Sequence, residues 1–354
     1  MMPPLLVNGR FLTQDLTGVQ RFAIEIARAL PGTALTQVLA PPDARDEAGI
    51  GVRRVGRLGG HAWEQIELPC HARGGVLLNL GNTGPLALRR QVVVVHDAAA
   101  FAVPEAYSWR FRTWYRLLQR GLLRRGVVLA TVSAFARDQL ARHLGADPAG
   151  VAVLGEGAEH ILRQPADALL HQRLGLLRPY VLAVGSLAVH KNLAALAATA
   201  DMLAGCGMDL VLTGDRDARV FGSMNQNLTV AARHVGRVDD AGLRALYEGA
   251  ACFVFPSRHE GFGLPAIEAM ACGCPVVAAR AGALPEVCGD AALLADPDDP
   301  ADIAAAVLRV VADAAVSARL RKAGLARAAG FTWPAAARAL AGVAARLAGG
   351  DKPA

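Results

Sequence analysis

Aromatic residues are scarce. They make up 5% of the 354 residues, against an apolar fraction of 53% that is largely Ala and Leu. That balance suits a soluble α/β protein. No apolar run approaches the roughly 20 residues a spanning helix needs, and the opening MMPPLLVNGR lacks the charged start and long apolar region of a secretory signal. The six cysteines (70, 206, 252, 272, 274 and 288) are scattered and read as reduced cytosolic thiols rather than a disulfide framework. Cys272-Gly-Cys274 reads as packing at a helix end, not as a metal site. No Asp-x-Asp motif stands out as a metal site, so no essential metal is expected. No nucleic-acid recognition module is present. Acid is also the minority charge, 31 Asp and Glu against 37 Lys and Arg, for a formal net charge of +6. A basic balance favours anionic partners: nucleotides, lipid phosphates or a membrane surface. The length is enough for a large core and for two domains.

The richest stretch runs from Cys252 to Ala279, CFVFPSRHEGFGLPAIEAMACGCPVVAA. It reads as strand, loop, helix, strand. Cys252–Phe255 is a short apolar run closed by Pro256. Gly261 and Gly263 open a loop in which backbone can approach a ligand, since neither carries a Cβ. Pro265 suits the first helical position, Gly273 suits the left-handed residue past the helix end, and Pro275–Ala279 resumes as a buried strand. A helix that starts from a glycine turn aims free N–H groups and a positive dipole end outward, which makes an anion site. Glu260 precedes the glycines, and Glu268 is expected in the first helical turn. Taken singly, Glu268 can be favouring its own helix N-terminus and Glu260 can be a solvated loop residue. Taken together, two carboxylates beside a phosphate site point to sugar hydroxyls, hence to a nucleotide sugar.

The segment EGFGLPAIEAMACGCPVV resembles the signature of the retaining family-4 glycosyltransferases, whose E-x7-E motif is present as Glu260 and Glu268. The resemblance implies the GT-B architecture: an α/β protein of two Rossmann-like doubly wound parallel-sheet domains facing across a cleft. It implies that Glu260 faces the donor sugar and Glu268 the nucleotide ribose, with Gly261, Phe262, Gly263 and Leu264 lining the donor site between them.

Further segments carry the same likeness. Leu5–Asn8 reads as an opening strand, and Thr17-Gly18-Val19-Gln20-Arg21 leads into a helix, FAIEIARAL. By itself this is a common loop. The resemblance makes it the family's glycine loop between donor and acceptor, matched by Gly18, Val19 and Arg21. Residues 41–60 read as a loop. His61-Ala-Trp-Glu-Gln-Ile-Glu-Leu-Pro69 resembles the W-E-Q…L-P segment of a mannosyltransferase-like branch; a helix packing against the cleft is the plainer reading. Val76–Leu80, Gln91–Val95 and Val127–Val132 are continuous apolar runs, as expected of parallel strands covered on both faces. The second ends in His96-Asp97. A lone histidine at a strand end is commonly structural, but the family pattern V-x-x-H-D makes His96 a donor-sugar contact. Ser133 caps AFARDQLARHL, and Gly145 ends it. Val151–Leu154 gives the last strand of the first domain, and the following Gly155-Glu-Gly-Ala departs from the family's P-N-G-V/I.

The second domain opens at Tyr180-Val-Leu-Ala-Val-Gly185-Ser186-Leu187, followed by His190-Lys191-Asn192. A lysine after a strand-end glycine turn can neutralise a diphosphate. The resemblance is to V-G-x5-K-N, with Gly185, Ser186 and Lys191 as donor contacts. The family often places an Arg after the glycine or before the Lys; Ser186 and His190 stand there instead and leave Lys191 to carry the charge. Asp209–Gly214 and Val235–Val238 read as strands, and Asp239 and Asp240 cap a helix. In the family this turn meets the base, which makes Arg237 and Val238 candidates. Ala292–Ala295 is the last strand. Phe331-Thr-Trp-Pro resembles the family's F-S/T-W, after which a helix over 332–350 returns to the first domain. The expected domains are 1–165 and 178–331, with the linker in 160–178.

Arg112, Arg116, Arg120 and Arg124 recur every four residues within SWRFRTWYRLLQRGLLRR. With Trp109 and Trp114 nearby, this stripe reads either as contact with an anionic membrane surface or as a solvated face paired with acids elsewhere.

The expected activity is transfer of a hexose, mannose by the branch resemblance, from a nucleotide sugar to a hydroxyl of a glycan or lipid-linked glycan in surface polysaccharide synthesis. Glu260, His96 and Lys191 are the catalytic candidates. No cofactor is implied, the nucleotide sugar being a substrate, and the expected place is the cytoplasm or the inner face of the cell membrane. Three rivals remain. Gly261-x-Gly263-x-x-Ala266 fits the dinucleotide turn of an NAD(P)-dependent oxidoreductase, although it comes late in its domain and Arg280 replaces the expected acid. A GT-B epimerase or phosphorylase shares the architecture. A non-catalytic partner subunit would not need Glu260, Glu268, Lys191 and His96 intact.

Overall fold

The structure is a computed structural model that describes residues 3–30, 36–102, 108–186, 188–214 and 232–349. Leu187 and Gly350, which the sequence assigns to a strand-end turn and to the last helix, lie outside these. The chain forms two compact units, Met1–Glu156 with Trp333–Ala354, and Gly157–Thr332.

The first unit holds a seven-stranded sheet of β1 (Leu5–Asn8), β2 (Thr36–Ala40), β3 (Val52–Arg54), β4 (Val76–Asn79), β5 (Gln91–Val94), β6 (Val128–Thr131) and β7 (Ala152–Val153), in the order β3-β2-β1-β4-β5-β6-β7. The second holds a six-stranded sheet of β8 (Tyr180–Val184), β9 (Asp209–Thr213), β10 (Ala232–His234), β11 (Cys252–Phe255), β12 (Val276–Ala279) and β13 (Ala292–Ala295), in the order β10-β9-β8-β11-β12-β13. Every pairing described is parallel. Both orders are doubly wound: strands are added outward in one direction, then the chain returns to the centre and adds them in the other. The order therefore reverses between β1 and β4, and again between β8 and β11. At such a point the connections leave in opposite directions and open a crevice beyond the strand ends, where ligands of these folds bind.

The apolar runs read from the sequence as covered strands are buried at every position in β4, β5, β6, β11 and β12. Parallel strands carry helices on both faces, so their positions are mostly apolar, and the polar residues at strand ends, Asn79, Gln91 and Thr131, are buried with hydrogen-bond partners. The core of the second unit gathers Val181, Leu196, Leu210, Val254 and Val307; that of the first gathers Val93, Leu118, Leu129 and Leu140. The helix Trp333–Gly349 packs within the first unit, where Trp333 meets Phe22 edge-on at 5.9 Å.

Four expectations need correction. Residues 41–60 are not all loop, because Val52–Arg54 forms the edge strand β3. Its Val-Arg-Arg sequence has no buried pattern to reveal it; pairing to β2 alone makes it a strand. The strand expected at Val235–Val238 lies earlier, at Ala232–His234. Gly236 has φ +78°, and its carbonyl accepts from Thr213 Oγ1 at 2.6 Å and from Gly214 N at 3.1 Å, which turns the chain out of the sheet. The segment 157–178 is no free linker but belongs to the second unit, with His160 and Leu170 buried and Asp167 N donating to Ala241 O at 3.1 Å.

The fourth correction concerns the arginine stripe. It lies on the helix Trp109–Arg124, capped by Ser108. Four residues advance an α-helix about 40° beyond a full turn, so a four-residue repeat winds around the helix. Arg112 and Arg116 are half-buried, and Arg116 donates to Ala100 O at 3.1 Å and lies over the Phe101 ring. Arg120 and Arg124 are exposed. The outer face instead combines these two with Arg110, Trp109 (64% exposed), Trp114 (40%) and Leu117 (63%). Among the described residues, no helix is long and apolar enough to cross a membrane.

Candidate active site

In the second unit, the ends of β8 and β9 pinch together. Gly185 (φ +155°) and Gly214 (φ +142°) lie so close that a Cβ on Gly214 would sit 2.2 Å from the Gly185 carbonyl oxygen. Only glycine fits there, and backbone rather than side chain faces the strand ends. The chain then makes a 3-10 turn, Val189–Lys191, and Asn192 adopts a left-handed conformation (φ 56°). Asn192 Nδ2 donates to Pro256 O at 3.1 Å and to Pro297 O at 2.7 Å. This clasp ties the lysine turn to the loop after β11.

Lys191 Nζ lies 2.7 Å from Glu260 Oε1 and sits over the Phe255 ring. Its side chain keeps 21% exposure and that of Glu260 11%. The pair bridges the ends of β8 and β11, the reversal point of this sheet. The Glu260 backbone is held from behind, since Ala283 N donates to Glu260 O at 3.0 Å. Gly263 (φ +101°) then caps the helix Leu264–Ala271; a Cβ on it would lie 2.5 Å from Leu284 Cδ2. Because the helix starts at Leu264, Pro265 is its second residue rather than its first. Glu268 is not in the first turn, as expected from the sequence, but in the second. Phe262 turns inward, its ring edge-on to Phe331 at 5.6 Å. Leu264 is buried, Ser186 and Arg237 are exposed, and Gly185 and Val238 are half-buried.

Glu268 has partners that sequence reasoning missed. His160 Nε2 lies 2.8 Å from its Oε1, and Tyr247 OH donates to its Oε2 at 3.2 Å. Burial, with Glu268 beside it, pushes the Tyr247 phenol well above its ordinary range, so it remains a neutral donor. His160 sits in the supposed linker, and Tyr247 sits at an ordinary core position of its helix; neither carried a local signal.

In the first unit, His96 lies two residues beyond β5 and is buried. Its backbone N donates to Asn82 Oδ1 at 2.7 Å, and its Nε2 donates to Leu80 O at 2.9 Å. Its Nδ1 is 3.6 Å from Glu156 Oε1, too long for a hydrogen bond. Its ring meets Phe22 edge-on at 4.7 Å. Phe22 belongs to the helix Gly18–Ala29, at whose start Gly18 is exposed and Val19 half-buried. In the first unit His96 packs against the helix that Gly18 and Val19 begin; in the second, Gly185, Lys191 and Glu260 gather at the strand ends beside Gly263, while Glu268 lies further along the helix with His160 and Tyr247.

The W-E-Q segment is more than a packing helix. Trp63–Glu67 is a π-helical turn, and Glu64 is buried in a polar network at the reversal point of the first sheet. Arg10 Nε lies 3.1 Å from Glu64 Oε1, Arg10 NH2 donates to Thr83 Oγ1 at 2.9 Å, and Asn8 Nδ2 donates to Glu64 Oε1 at 2.8 Å. Burial alone would raise Glu64, but the His61 hydrogen bond, the Arg10 charge, Asn8 and Thr83 together hold it below the ordinary carboxylate range.

The cysteine pair behaves as packing. Burial pushes the Cys272 thiol up to about 12 and holds the Cys274 thiol well above its ordinary range, so both remain thiols. Among the described residues no group of three or more His, Cys, Asp or Glu side chains could hold a metal ion.

Residues 178–313 match the family model described as glycosyl transferases group 1. The O-antigen chain mannosyltransferase B of Escherichia coli is 35% identical over 261 residues, covering 70% of this chain and 68% of that protein. The O-antigen chain mannosyltransferase RfbU of Salmonella typhimurium is 28% identical over 236 residues, covering 63% of this chain and 64% of that protein. Among solved structures, HepE of Anabaena in complex with UDP and glucose superposes with a TM-score of 0.77 at 20% identity, covering 97% of this chain and 99% of that one. The oxidoreductase reading of Gly261-x-Gly263-x-x-Ala266 gives way to these matches, and Arg280 is committed elsewhere, its NH2 donating to Leu294 O at 3.0 Å. With its two doubly wound sheets and a relative at this identity and coverage, the chain belongs to the group 1 glycosyltransferases, enzymes of the GT-B fold.

Proposed function

We propose that this glycosyltransferase moves a hexose, mannose in our reading, from a nucleoside-diphosphate sugar to a hydroxyl of a growing surface glycan, with retention at the anomeric carbon. The observation that carries the proposal is the Lys191–Glu260 pair at the β8/β11 reversal point, beside the helix that starts at Gly263. A donor that places its diphosphate at that helix N-terminus meets free amides and a positive dipole end. Lys191 then turns from Glu260 to the phosphates and stabilises the charge that develops on the leaving diphosphate. Glu260, released, accepts hydrogen bonds from the sugar hydroxyls. Glu268 takes the ribose, and His96 of the first unit contributes to the sugar side. Gly18, Val19, Gly185 and Ser186 approach the donor through backbone, and Arg237 and Val238 border the base.

The names of the Escherichia coli and Salmonella relatives support mannose and an O-antigen-type acceptor. The complex of HepE with UDP and glucose supports a nucleoside-diphosphate sugar as the donor. No essential metal enters this scheme. The test is a panel of nucleotide hexoses with lipid-linked and free glycan acceptors, read by mass spectrometry of products, with and without chelator. Transfer of one hexose from a mannose nucleotide, insensitive to chelator, is expected. Transfer of a different sugar overturns the mannose assignment. Activity lost to chelator and restored by manganese overturns metal independence, and transfer from no donor overturns the proposal.

We also infer that the acceptor is presented at an anionic membrane surface, at the cytoplasmic side. The support is the outer face of the Trp109–Arg124 helix, where Arg110, Arg120 and Arg124 alternate with Trp109, Trp114 and Leu117. Cationic side chains meet lipid phosphates, and amphipathic rings sit at the headgroup level.

A further inference from the structure

Resting on the reading that a nucleotide occupies the second unit, we propose that His160 and Tyr247 are positioning residues that hold Glu268 as a preset acceptor for the ribose hydroxyls of a nucleoside diphosphate. Three separate elements converge on this carboxylate: the helix Leu264–Ala271 that bears it, the helix Asp240–Gly249 that bears Tyr247, and the 3-10 turn Glu159–Leu162 that bears His160. The side chain of Glu268 is 8% exposed and that of His160 1%, while Tyr247 is wholly buried. A carboxylate so far from water is costly to keep ionised unless donors replace its hydration. Here one donor meets each oxygen, His160 Nε2 at Oε1 and Tyr247 OH at Oε2. Held at both oxygens, the carboxylate cannot rotate, and its exposed edge keeps one orientation.

That arrangement contrasts with Glu260, whose Oε1 pairs with Lys191, a side chain itself partly open to water. It also explains why His160 belongs with the second unit. The segment is anchored there a second time, where Ala158 N donates to Phe331 O at 3.2 Å. Two neighbouring ribose hydroxyls are a bidentate donor, and a carboxylate of fixed orientation recognises such a donor with little entropy left to lose.

The test compares UDP, GDP and ADP with their 2′-deoxy counterparts by calorimetry, on the wild-type chain and on His160→Ala, His160→Gln and Tyr247→Phe. Far-ultraviolet circular dichroism and thermal unfolding identify variants that retain the fold. The wild type is expected to prefer the ribo form of its nucleotide by about 10-fold or more, the scale of a hydrogen bond to a charged group. His160→Ala and Tyr247→Phe should bring that ratio towards one, and His160→Gln, whose amide N–H can replace Nε2, should restore most of it. A purely structural role would lower the unfolding temperature, or weaken ribo and deoxy forms alike, and leave the ratio unchanged; that result overturns the inference while the donor reading stands. Failure of the wild type to bind any of the three ribonucleotides overturns both.

Discussion

The two sheets reverse their strand order at corresponding places, and an ion pair stands at each. At β1/β4 it is Arg10 with Glu64, their side chains 9% and 1% exposed; at β8/β11 it is Lys191 with Glu260, at 21% and 11%. The first is enclosed by Asn8, Asn79, Thr83 and Gln91, all buried and joined by hydrogen bonds. The second is surrounded by glycines and an open helix start. One fold therefore uses the same location in two ways. The enclosed pair is part of the structure, because no ligand can repay the loss of either charge. In the proposed scheme the half-open pair is exchangeable, because an incoming diphosphate would offer Lys191 a better partner.

The comparison breaks most visibly through stability. Arg10→Ala leaves Glu64 as a buried, uncompensated charge and should cost about 3–5 kcal/mol, read from the midpoint of urea unfolding. Because the folded-state pKa of Glu64 is depressed, its contribution is complete above the ordinary carboxylate range and drains away as pH falls below it. Glu64→Gln should therefore flatten the acid limb of the stability curve and leave its shape near neutrality unchanged. Equal losses from Arg10→Ala and Lys191→Met would show that the two pairs do not differ in kind.

Catalysis comes next in size. Glu260→Ala and His96→Ala should each lower turnover on the order of 100-fold, comparable to the loss of one preorganised donor or acceptor at a reacting centre. Glu268→Ala should mainly weaken nucleotide binding. Steady-state kinetics beside calorimetric affinity separates these roles, and equal loss of nucleotide affinity in all three would contradict them. Lys191→Met should cost about 1 kcal/mol of stability or less while nucleoside-diphosphate affinity drops about 10-fold. An unfolding midpoint shifted as far as that of Arg10→Ala would make Lys191 a structural residue.

The smallest effect concerns the outer helix face. Arg120→Gln with Arg124→Gln should remove about 1 kcal/mol of vesicle affinity per residue, in a salt-sensitive manner, with stability unchanged within about 0.5 kcal/mol. Arg112→Gln with Arg116→Gln should instead perturb stability, since both side chains are half-buried. Binding that neutral vesicles support equally well would leave this helix as a solvated face.

Much was legible in the chain itself. Two kinds of signal are local. Apolar runs bounded by turn residues announced β1, β4, β5, β6, β8, β11 and β12 within a residue or so of their observed ends, because a parallel strand covered on both faces is predominantly apolar. The loop and helix after β11 were readable because Gly263, Pro265 and Gly273 are tied to backbone conformations few other residues tolerate. Glu260 and Glu268 could be singled out because they flank those markers and match the family's E-x7-E motif, and Lys191 because it follows the separate strand-end turn at Gly185. The edge strand β3 could not be read: its residues are half-buried or exposed, and pairing to β2 alone defines it. Nor could the sequence separate Arg112 from Arg124, because four identical residues at one spacing acquire different surroundings only when one side of their helix meets a core. The partners of the charges were equally invisible. Arg10 and Glu64 are 54 residues apart, Lys191 and Glu260 69, His160 and Glu268 108. What the sequence determined alone is where the backbone turns and which segments are buried. Which charge faces which, and how much water reaches them, followed from the folding of strands distant in sequence into two sheets, which encloses Arg10 and Glu64 and leaves Lys191 and Glu260 partly open.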